Sequence, residues 1–194
     1  MPYNLTIRGW LQEAELQVIE SWAQSLPDNS HVIEMGSYYG RSTWCFAASI
    51  PKNSTLYCYD QWIGEIAESL PNMSLETIRK NGYPLPDDKN TYENFKENIK
   101  NFDNIKHKQV YDSTWIKWDG PDVDAVFIDI AHSNPIDWNY IQYWLPKIKK
   151  GGFICGHDYN IGYSDVDANV HKLELILSNS VKTFEHGSLW KIVI

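Results

Sequence analysis

Hydrophobic and polar positions along this chain follow two patterns. Short apolar runs typical of buried strands occupy residues 31–35, 55–60, 105–111, 124–130 and 152–158. Apolar residues at the three- and four-residue spacing of amphipathic helices occupy residues 10–26, 42–50, 91–102, 135–149 and 165–177. Because strands and helices alternate, the pattern predicts an α/β fold whose mostly parallel sheet is covered by helices on both faces.

Three regions depart from this alternation. Residues 1–30 precede the sheet and are predicted to form a helical segment. Residues 61–90 make a connection longer than compact domains usually contain, and such connections are often lids or parts of binding pockets. Residues 181–194 are predicted to form an antiparallel hairpin at one edge of the sheet. The whole chain, 1–194, is long enough for one domain with a substantial core.

Composition and charge exclude several classes of protein. The net charge is −8, and the basic stripe that nucleic-acid binding requires is missing. The longest apolar runs fall short of the roughly 20 residues of a membrane span, and the N-terminus has no signal-peptide pattern. We therefore expect a cytoplasmic protein without nucleic-acid or membrane partners. The three cysteines lie in apolar surroundings without CxxC spacing, which predicts buried free thiols.

Polar residues end each of the five predicted parallel strands. They are Glu34, Gly36 and Gly40 after the first strand, Asp60 after the second, Asp112 and Ser113 after the third, Asp129 at the fourth, and His157 and Asp158 at the fifth. Ligands of open α/β sheets bind outside the carboxyl ends of the strands. The sequence therefore predicts a binding site at this edge of the sheet.

The loop after the first strand has the spacing E-x-G-x-x-x-G over residues 34–40. It is not the G-x-G-x-x-G dinucleotide motif, and its glycines permit a tight turn and close approach to a ligand. Asp60, at the end of the next strand, can accept both hydroxyls of a ribose. Together they favour a nucleoside cofactor without a pyrophosphate, such as S-adenosylmethionine. A plain tight turn followed by a solvated acid is the alternative.

Several segments resemble, in order, those of class I S-adenosylmethionine-dependent methyltransferases. They are "VIEMGSYYGRST", "YCYD", "VFIDIAHS", "WLPKIKKGGFICGHDY" and "LWKIVI". More narrowly, the chain resembles the small O-methyltransferase group that includes macrocin-type sugar methyltransferases and, more distantly, catechol O-methyltransferase. The resemblance implies a Rossmann-like three-layer sandwich with a mostly parallel seven-stranded sheet and a C-terminal antiparallel hairpin.

The resemblance also implies how the methionine part of the cofactor is held. Gly36 and Gly40 would form the loop around it, with Tyr38 over the cofactor. Ser42 would hold the carboxylate of the cofactor. Glu34, in the same motif, belongs to the expected contact set.

The nucleoside part of the cofactor would lie further along the sheet. The resemblance implies that Asp60 takes the ribose hydroxyls and that Gln61 flanks the adenine. Asp112 and Ser113 match the segment that contacts the adenine edge. Asp129 completes the expected set of cofactor contacts.

Two further carboxylates point to a metal. Asp129 and Asp158 end consecutive strands, which can be neighbours about 4.8 Å apart, so their charges repel unless a cation neutralises them. Mg²⁺ or another divalent cation with oxygen ligands would do so. The resemblance places both acids as ligands and puts a third ligand at or beside His157. In the alternative, Asp129 adjoins the cofactor and Asp158 caps the next loop.

His132 lies three residues after Asp129, where the resemblance places a general base. An imidazole with an ordinary pKa near 6.5 can accept a hydroxyl proton at neutral pH. The expected reaction is in-line methyl transfer to a hydroxyl of a small molecule or sugar. Two alternatives are a non-catalytic cofactor-binding domain and a nicotinamide-dependent oxidoreductase, the latter disfavoured by the missing third glycine.

The sequence leaves the acceptor open, because aromatic walls suit sugars and phenols equally well. Residues 61–90 are expected to contribute to the acceptor pocket or its lid. The N-terminal helix after Trp10 is expected to close over the cofactor. Aromatic residues that look exposed make a homodimer an expectation as well.

Overall fold

Seven strands form one sheet in the computed structural model, which describes residues 2–62, 91–111, 113–178, 182–183 and 187–194. The strands are β1 (His31–Met35), β2 (Thr55–Asp60), β3 (Ile105–Gln109), β4 (Val123–Ile128), β5 (Ile148–Gly156), β6 (Lys182–Thr183) and β7 (Trp190–Val193). The helices of the described residues are α1 (Glu13–Gln24), α2 (Arg41–Ser49), α3 (Thr91–Ile99), α4 (Ile136–Trp144) and α5 (Ser164–Leu177).

The strand order is β3-β2-β1-β4-β5-β7-β6. Strands β1 to β5 pair in parallel, whereas β7 is antiparallel to both β5 and β6. The prediction of a mostly parallel seven-stranded sheet with a C-terminal hairpin is confirmed. The chain reverses its direction of winding at β1, so the carboxyl ends of β1 and β4 flank the crevice where such sheets bind ligands.

Helices cover both faces of the sheet and make two separate apolar cores. In β1, Val32 packs with residues of α1, α2 and α3, whereas its neighbour Ile33 packs with residues of α4 and α5. Phe127 and Val126 of β4 divide in the same way between the two cores. Because both faces are covered, successive residues of these central strands are mostly apolar, which is why the strands appear in the sequence as apolar runs.

The element boundaries differ most from the predicted ones before β5. The predicted helix over 135–149 ends at Trp144, a 3-10 turn follows over Leu145–Lys147, and β5 begins at Ile148. Pro146 lacks the N–H that would continue the helical hydrogen bonds. The β-branched Ile148 then pairs with Val123 of β4 ahead of a register shift. The end of one core element therefore depends on a single proline.

Two predictions about less regular features can also be compared with the structure. The helix predicted over 10–26 is observed only over Glu13–Gln24, and residues 63–90 of the predicted insertion lie outside the described residues. All three cysteines are buried free thiols, as predicted, and burial raises the pKa of Cys45 to about 12. Within the described residues, no helix combines the length and apolar character that a bilayer crossing requires.

Candidate functional site

The loop after β1 requires glycine at its first turn. Gly36 has a φ of 90°, and a Cβ at this position would lie 1.7 Å from the backbone oxygen of Asp129. Any side chain would therefore separate the β1 loop from the end of β4. Gly40, with a φ of 93°, is the N-cap of α2 and packs against Phe95. The two glycines of the motif thus serve close approach and helix entry, respectively.

Glu34 lies beneath this loop rather than on its surface. Its carboxylate is fully buried and accepts hydrogen bonds from the hydroxyls of Ser37, at 2.6 Å, and Thr43. Burial raises its pKa. The expectation of a cofactor contact is therefore corrected, because Glu34 does not line the cavity described below. Its place is to hold the loop in shape.

Asp60 also organises the loop, but from a position that reaches the cavity. One oxygen, Oδ2, accepts the backbone N–H groups of Ser37 and Tyr38, each at 2.7 Å. The other, Oδ1, accepts the N–H of Trp62 at 2.6 Å. A backbone hydrogen bond from Gln61 also contributes, and the Asp60 side chain still lines the cavity. Asp60 therefore combines a structural role with the expected acceptor position.

A cavity of about 440 Å³ opens at the carboxyl ends of β1, β2 and β4, within the usual range for small-molecule sites. It brings together six of the residues expected to hold the cofactor: Gly36, Tyr38, Ser42, Asp60, Gln61 and Asp129. Ser113 lies in a 3-10 turn and does not line the cavity. Asp112 lies outside the described residues.

The chain before α1 forms the other wall of the cavity, over residues 8–11; we call these residues the roof. The guanidinium of Arg41, at the start of α2, donates to the backbone oxygens of Ile7 at 2.7 Å and Leu11 at 2.8 Å. The expectation that the helix after Trp10 covers the cofactor is therefore corrected. The irregular segment before that helix covers the cavity, and Arg41 fixes it there.

Two acids and an imidazole meet at the floor of the cavity, where Asp129 and His132 line it and Asp158 lies against His132. Nε2 of His132 lies 3.2 Å from Oδ1 of Asp129 and 2.6 Å from Oδ2 of Asp158. Ligand atoms of these three residues all lie within 4.8 Å of one another. Two carboxylates and one imidazole are a donor set that fits a divalent cation. Among the described residues, the structure thus assembles Asp129, His132 and Asp158.

His132 does not have the ordinary pKa that the sequence predicts. Burial disfavours its charged form, but the hydrogen bonds to Asp129 and Asp158 outweigh burial and raise its pKa to about 10. With nothing else between the two acids, the imidazole is protonated at neutral pH and has no lone pair to accept a proton. A base role for His132 therefore requires another positive charge near the two acids.

His157 lies behind this group and is buried. Its Nδ1 is 3.2 Å from Oδ2 of Asp158, and its Nε2 is 3.1 Å from Oε1 of Glu15. Burial disfavours the imidazolium, but hydrogen bonds to Asp158 and Glu15 outweigh burial and raise its pKa to about 11. Both ring nitrogens face carboxylates, so the expectation of His157 as third metal ligand is corrected: the imidazole that lies with the two acids on the cavity side is that of His132.

Sequence reasoning missed three residues that shape this floor. Asp137 accepts the backbone N–H groups of Ala131 and Ser133, each at 3.1 Å, and so holds the loop that carries His132. The ring of Tyr163 lies 4.8 Å from that of His132 and lines the cavity. Glu15 had a visible signal, because it is an acid within the apolar stripe of α1.

The sequence matches a family model described as "Methyltransferase domain" over residues 33–159, well over half of the chain. No curated protein sequence matches this chain significantly. Solved structures share its fold at low sequence identity. Precorrin-6y C5,15-methyltransferase from Geobacter metallireducens is 13% identical, with a TM-score of 0.64 over 99% of this chain and 94% of that one.

Two O-methyltransferases have the same fold. The O-methyltransferase from Bacillus cereus in complex with SAH is 14% identical, with a TM-score of 0.61 over 97% of this chain and 85% of that one. The O-methyltransferase NovP is 13% identical, with a TM-score of 0.65 over 92% of this chain and 78% of that one. The family match covers the polar residues at the strand ends, from Glu34 to Asp158, but not the roof or Tyr163, and the fold is the one that the sequence predicted. The chain belongs to the methyltransferase domain family and is an S-adenosylmethionine-dependent methyltransferase.

Proposed function

We propose that this methyltransferase transfers the methyl group to a hydroxyl oxygen of a small molecule, such as a sugar or a phenol, with the help of a divalent cation. The observation that carries the proposal is the cluster of Asp129, His132 and Asp158, of which Asp129 and His132 line the cavity. The fold alone does not select the acceptor atom, because the similar structures include a C-methyltransferase by name. The cation-compatible acids beside the cavity favour oxygen, since metal ions make hydroxyls more acidic.

The cofactor would occupy the cavity between the roof and the β1 loop. Gly36 lets the backbone approach the methionine part, and Ser42 lies in the first turn of α2, where N–H groups favour the cofactor carboxylate. Asp60 lines the cavity beside Gln61, where it would meet the ribose hydroxyls. Tyr38 lines the same wall. These contacts would orient the sulfonium methyl group toward the floor.

Asp129 and Asp158 would hold the cation, with His132 next to both. The cation would neutralise the two carboxylates and lower the pKa of an adjacent acceptor hydroxyl. His132, no longer facing two uncompensated acids, would accept the hydroxyl proton as the oxygen takes the methyl group. The products are the methyl ether, S-adenosylhomocysteine and a protonated His132, which returns its proton to solvent. Much of the rate acceleration would come from in-line placement of the reactants.

Calorimetric titration with S-adenosylhomocysteine, with Mg²⁺ or Mn²⁺ present or with EDTA, tests the cofactor and the cation separately. We expect micromolar binding of S-adenosylhomocysteine, which would lead to a screen of hydroxyl acceptors. Heat of Mn²⁺ binding that disappears in Asp158→Asn would support the cation. Failure of the protein to bind S-adenosylhomocysteine would contradict the proposed site. Binding without turnover on any hydroxyl acceptor would favour a non-catalytic cofactor-binding domain.

His132→Ala separates a base from a metal ligand. We expect normal binding of S-adenosylhomocysteine and of Mn²⁺ but loss of turnover, about 100-fold or more. Loss of Mn²⁺ affinity would instead make His132 a ligand, and full activity would remove both roles. His171→Ala is the matched control, because His171 is exposed on α5 and pairs only with Glu174 among the described residues within ion-pair distance.

A further inference from the structure

A buried carboxylate on α1, that of Glu15, is linked by hydrogen bonds to residues near the C-terminal end of the chain that adjoin Asp158. Glu15 is 4% exposed and accepts three hydrogen bonds. Its Oε1 accepts the N–H of Ser188 at 3.0 Å and Nε2–H of His157 at 3.1 Å. Its Oε2 accepts the N–H of Gln12 at 2.9 Å. An acid that only capped the start of α1 would need the contact with Gln12 but not those with Ser188 and His157.

Two of these partners lead directly to Asp158. Nδ1 of His157 lies 3.2 Å from Oδ2 of Asp158. The backbone N–H of Asp158 donates to the hydroxyl of Ser188 at 3.1 Å. Glu15 therefore supports two of the groups that hold Asp158, His157 at its side chain and Ser188 at its backbone.

The third partner leads to the roof of the cavity. Gln12 immediately follows roof residue Leu11, whose carbonyl Arg41 holds from the other side. The bond from Gln12 to Glu15 closes a capping box at the start of α1. The roof is thus fixed at two points, and one of them is the same carboxylate that supports Asp158.

The approach of the C-terminal hairpin to Glu15 is close. A Cβ on Gly187 would lie 2.5 Å from Oε1 of Glu15, so only glycine fits there. Burial disfavours the carboxylate, but its hydrogen bonds, that of His157 above all, outweigh burial and lower the pKa of Glu15. An ionised acid is thus held between α1, β5 and the hairpin.

We propose that Glu15 is a positioning residue for the reaction, which sets Asp158 through His157 and fixes the roof through Gln12. The proposal rests on the proposed function for the roles of Asp158 and the cavity. It follows that one side chain supports both the roof over the cofactor and the cation site. Removing the carboxylate of Glu15 should weaken ligand binding at both places, although Glu15 touches neither ligand.

Four variants test this proposal with Mn²⁺ and S-adenosylhomocysteine as probes: Glu15→Gln, His157→Gln, the double variant, and Glu20→Gln as control. Glu20 lies on the same helix and contacts the exposed Gln24. We expect Mn²⁺ affinity to fall about 10- to 100-fold in Glu15→Gln and to stay unchanged in Glu20→Gln. Because Glu15 acts through His157 and through Ser188, the double variant should lose less Mn²⁺ affinity than the sum of the losses in the two single variants.

The outcomes separate this proposal from the proposed function. Additive losses in the double variant, or unchanged affinities in Glu15→Gln, would overturn the positioning role. If the unaltered protein binds no Mn²⁺, the proposed cation site is wrong. The role of Glu15 at the roof is then tested by S-adenosylhomocysteine alone, which should bind more weakly to Glu15→Gln than to Glu20→Gln. Should Glu15→Gln fail to fold by circular dichroism, His157→Gln alone must still weaken Mn²⁺ binding, or the proposal falls.

Discussion

The carboxylates at the two sides of the cavity differ in the groups that they face. At the β1 and β2 ends, Glu34 and Asp60 receive hydrogen bonds from hydroxyls and backbone N–H groups of the neighbouring loop. At the β4 and β5 ends, Asp129 and Asp158 face the imidazoles of His132 and His157. The first pair receives hydrogen bonds from groups of the β1 loop and α2, and the second pair faces side-chain cations.

This difference distinguishes the side of the cavity around Glu34 and Asp60, which we call the wall, from the side around Asp129 and Asp158, which is the floor. Backbone donors cannot leave without unfolding the loop, so the wall keeps its shape with or without a ligand. Side-chain cations such as His132 can be replaced by another positive charge at little structural cost. Acidic residues at the ends of parallel strands therefore keep the loop rigid on one side of the cavity. On the other side, the positive charge that they face can be replaced.

Gly36→Ala should have the largest effect, because Gly36 joins the wall to the floor. Its new Cβ would meet the backbone oxygen of Asp129, and the loop would have to move. We expect a loss of about 4 kcal/mol in the free energy of unfolding and loss of S-adenosylhomocysteine binding, measured by urea unfolding and calorimetry. Gly151→Ala is the control, because Gly151 has a φ of 84° but no atom of the described residues within 4 Å of its Cβ position. It should lose only about 1–2 kcal/mol.

Asp60→Ala should have the next largest effect, because it leaves the N–H groups of Ser37, Tyr38 and Trp62 without their acceptor. Each unsatisfied buried donor costs about 1–3 kcal/mol, so we expect a loss of about 3 kcal/mol together with weaker cofactor binding. Asp60→Asn keeps one acceptor oxygen, and its stability should lie between those of Asp60→Ala and the original protein. An Asp60→Ala protein as stable as the original would contradict the distinction drawn for the wall.

Asp158→Asn should change how stability depends on pH rather than mainly its size. The pKa of His132 rises from 6.5 to about 10 on folding, so its proton stabilises the fold at low pH. This stabilisation is lost as the pH rises from about 6.5 through about 10. We expect unfolding by urea in EDTA to show a clear decline over this window in the original protein. The decline should be smaller in Asp158→Asn and unchanged in His171→Ala.

Asp137→Asn should have the smallest effect. Burial raises the pKa of Asp137 to about 6, so its ionisation lowers stability as the pH rises from about 4 to about 6. The amide removes that ionisation but can accept only one of the N–H groups of Ala131 and Ser133. We expect a net change within about 1 kcal/mol at neutral pH and a flatter stability profile between about pH 4 and pH 6. A large loss would show that the floor loop is as rigid as the wall.

Much of the site could be predicted because parallel strands bring distant residues together by a rule. The apolar runs predicted the strands, and the residue after each run was placed at one edge of the sheet. Asp60, Asp129 and Asp158 therefore needed only the correct strand order to meet near one cavity. The same rule could not tell that Glu34 turns under the loop, because burial of that side chain depends on how α2 packs.

The sequence by itself determined the strand and helix types, the parallel sheet, the hairpin and the row of acids, since these depend on local periodicity and on chain order. Only the tertiary structure decided which donors each acid receives. His132 makes the closer contacts with both Asp129 and Asp158, and Glu15 reaches His157 from 142 positions away in the chain. Such contacts depend on side-chain direction and packing between elements, and the free energies that set a pKa arise from those contacts rather than from neighbours in sequence.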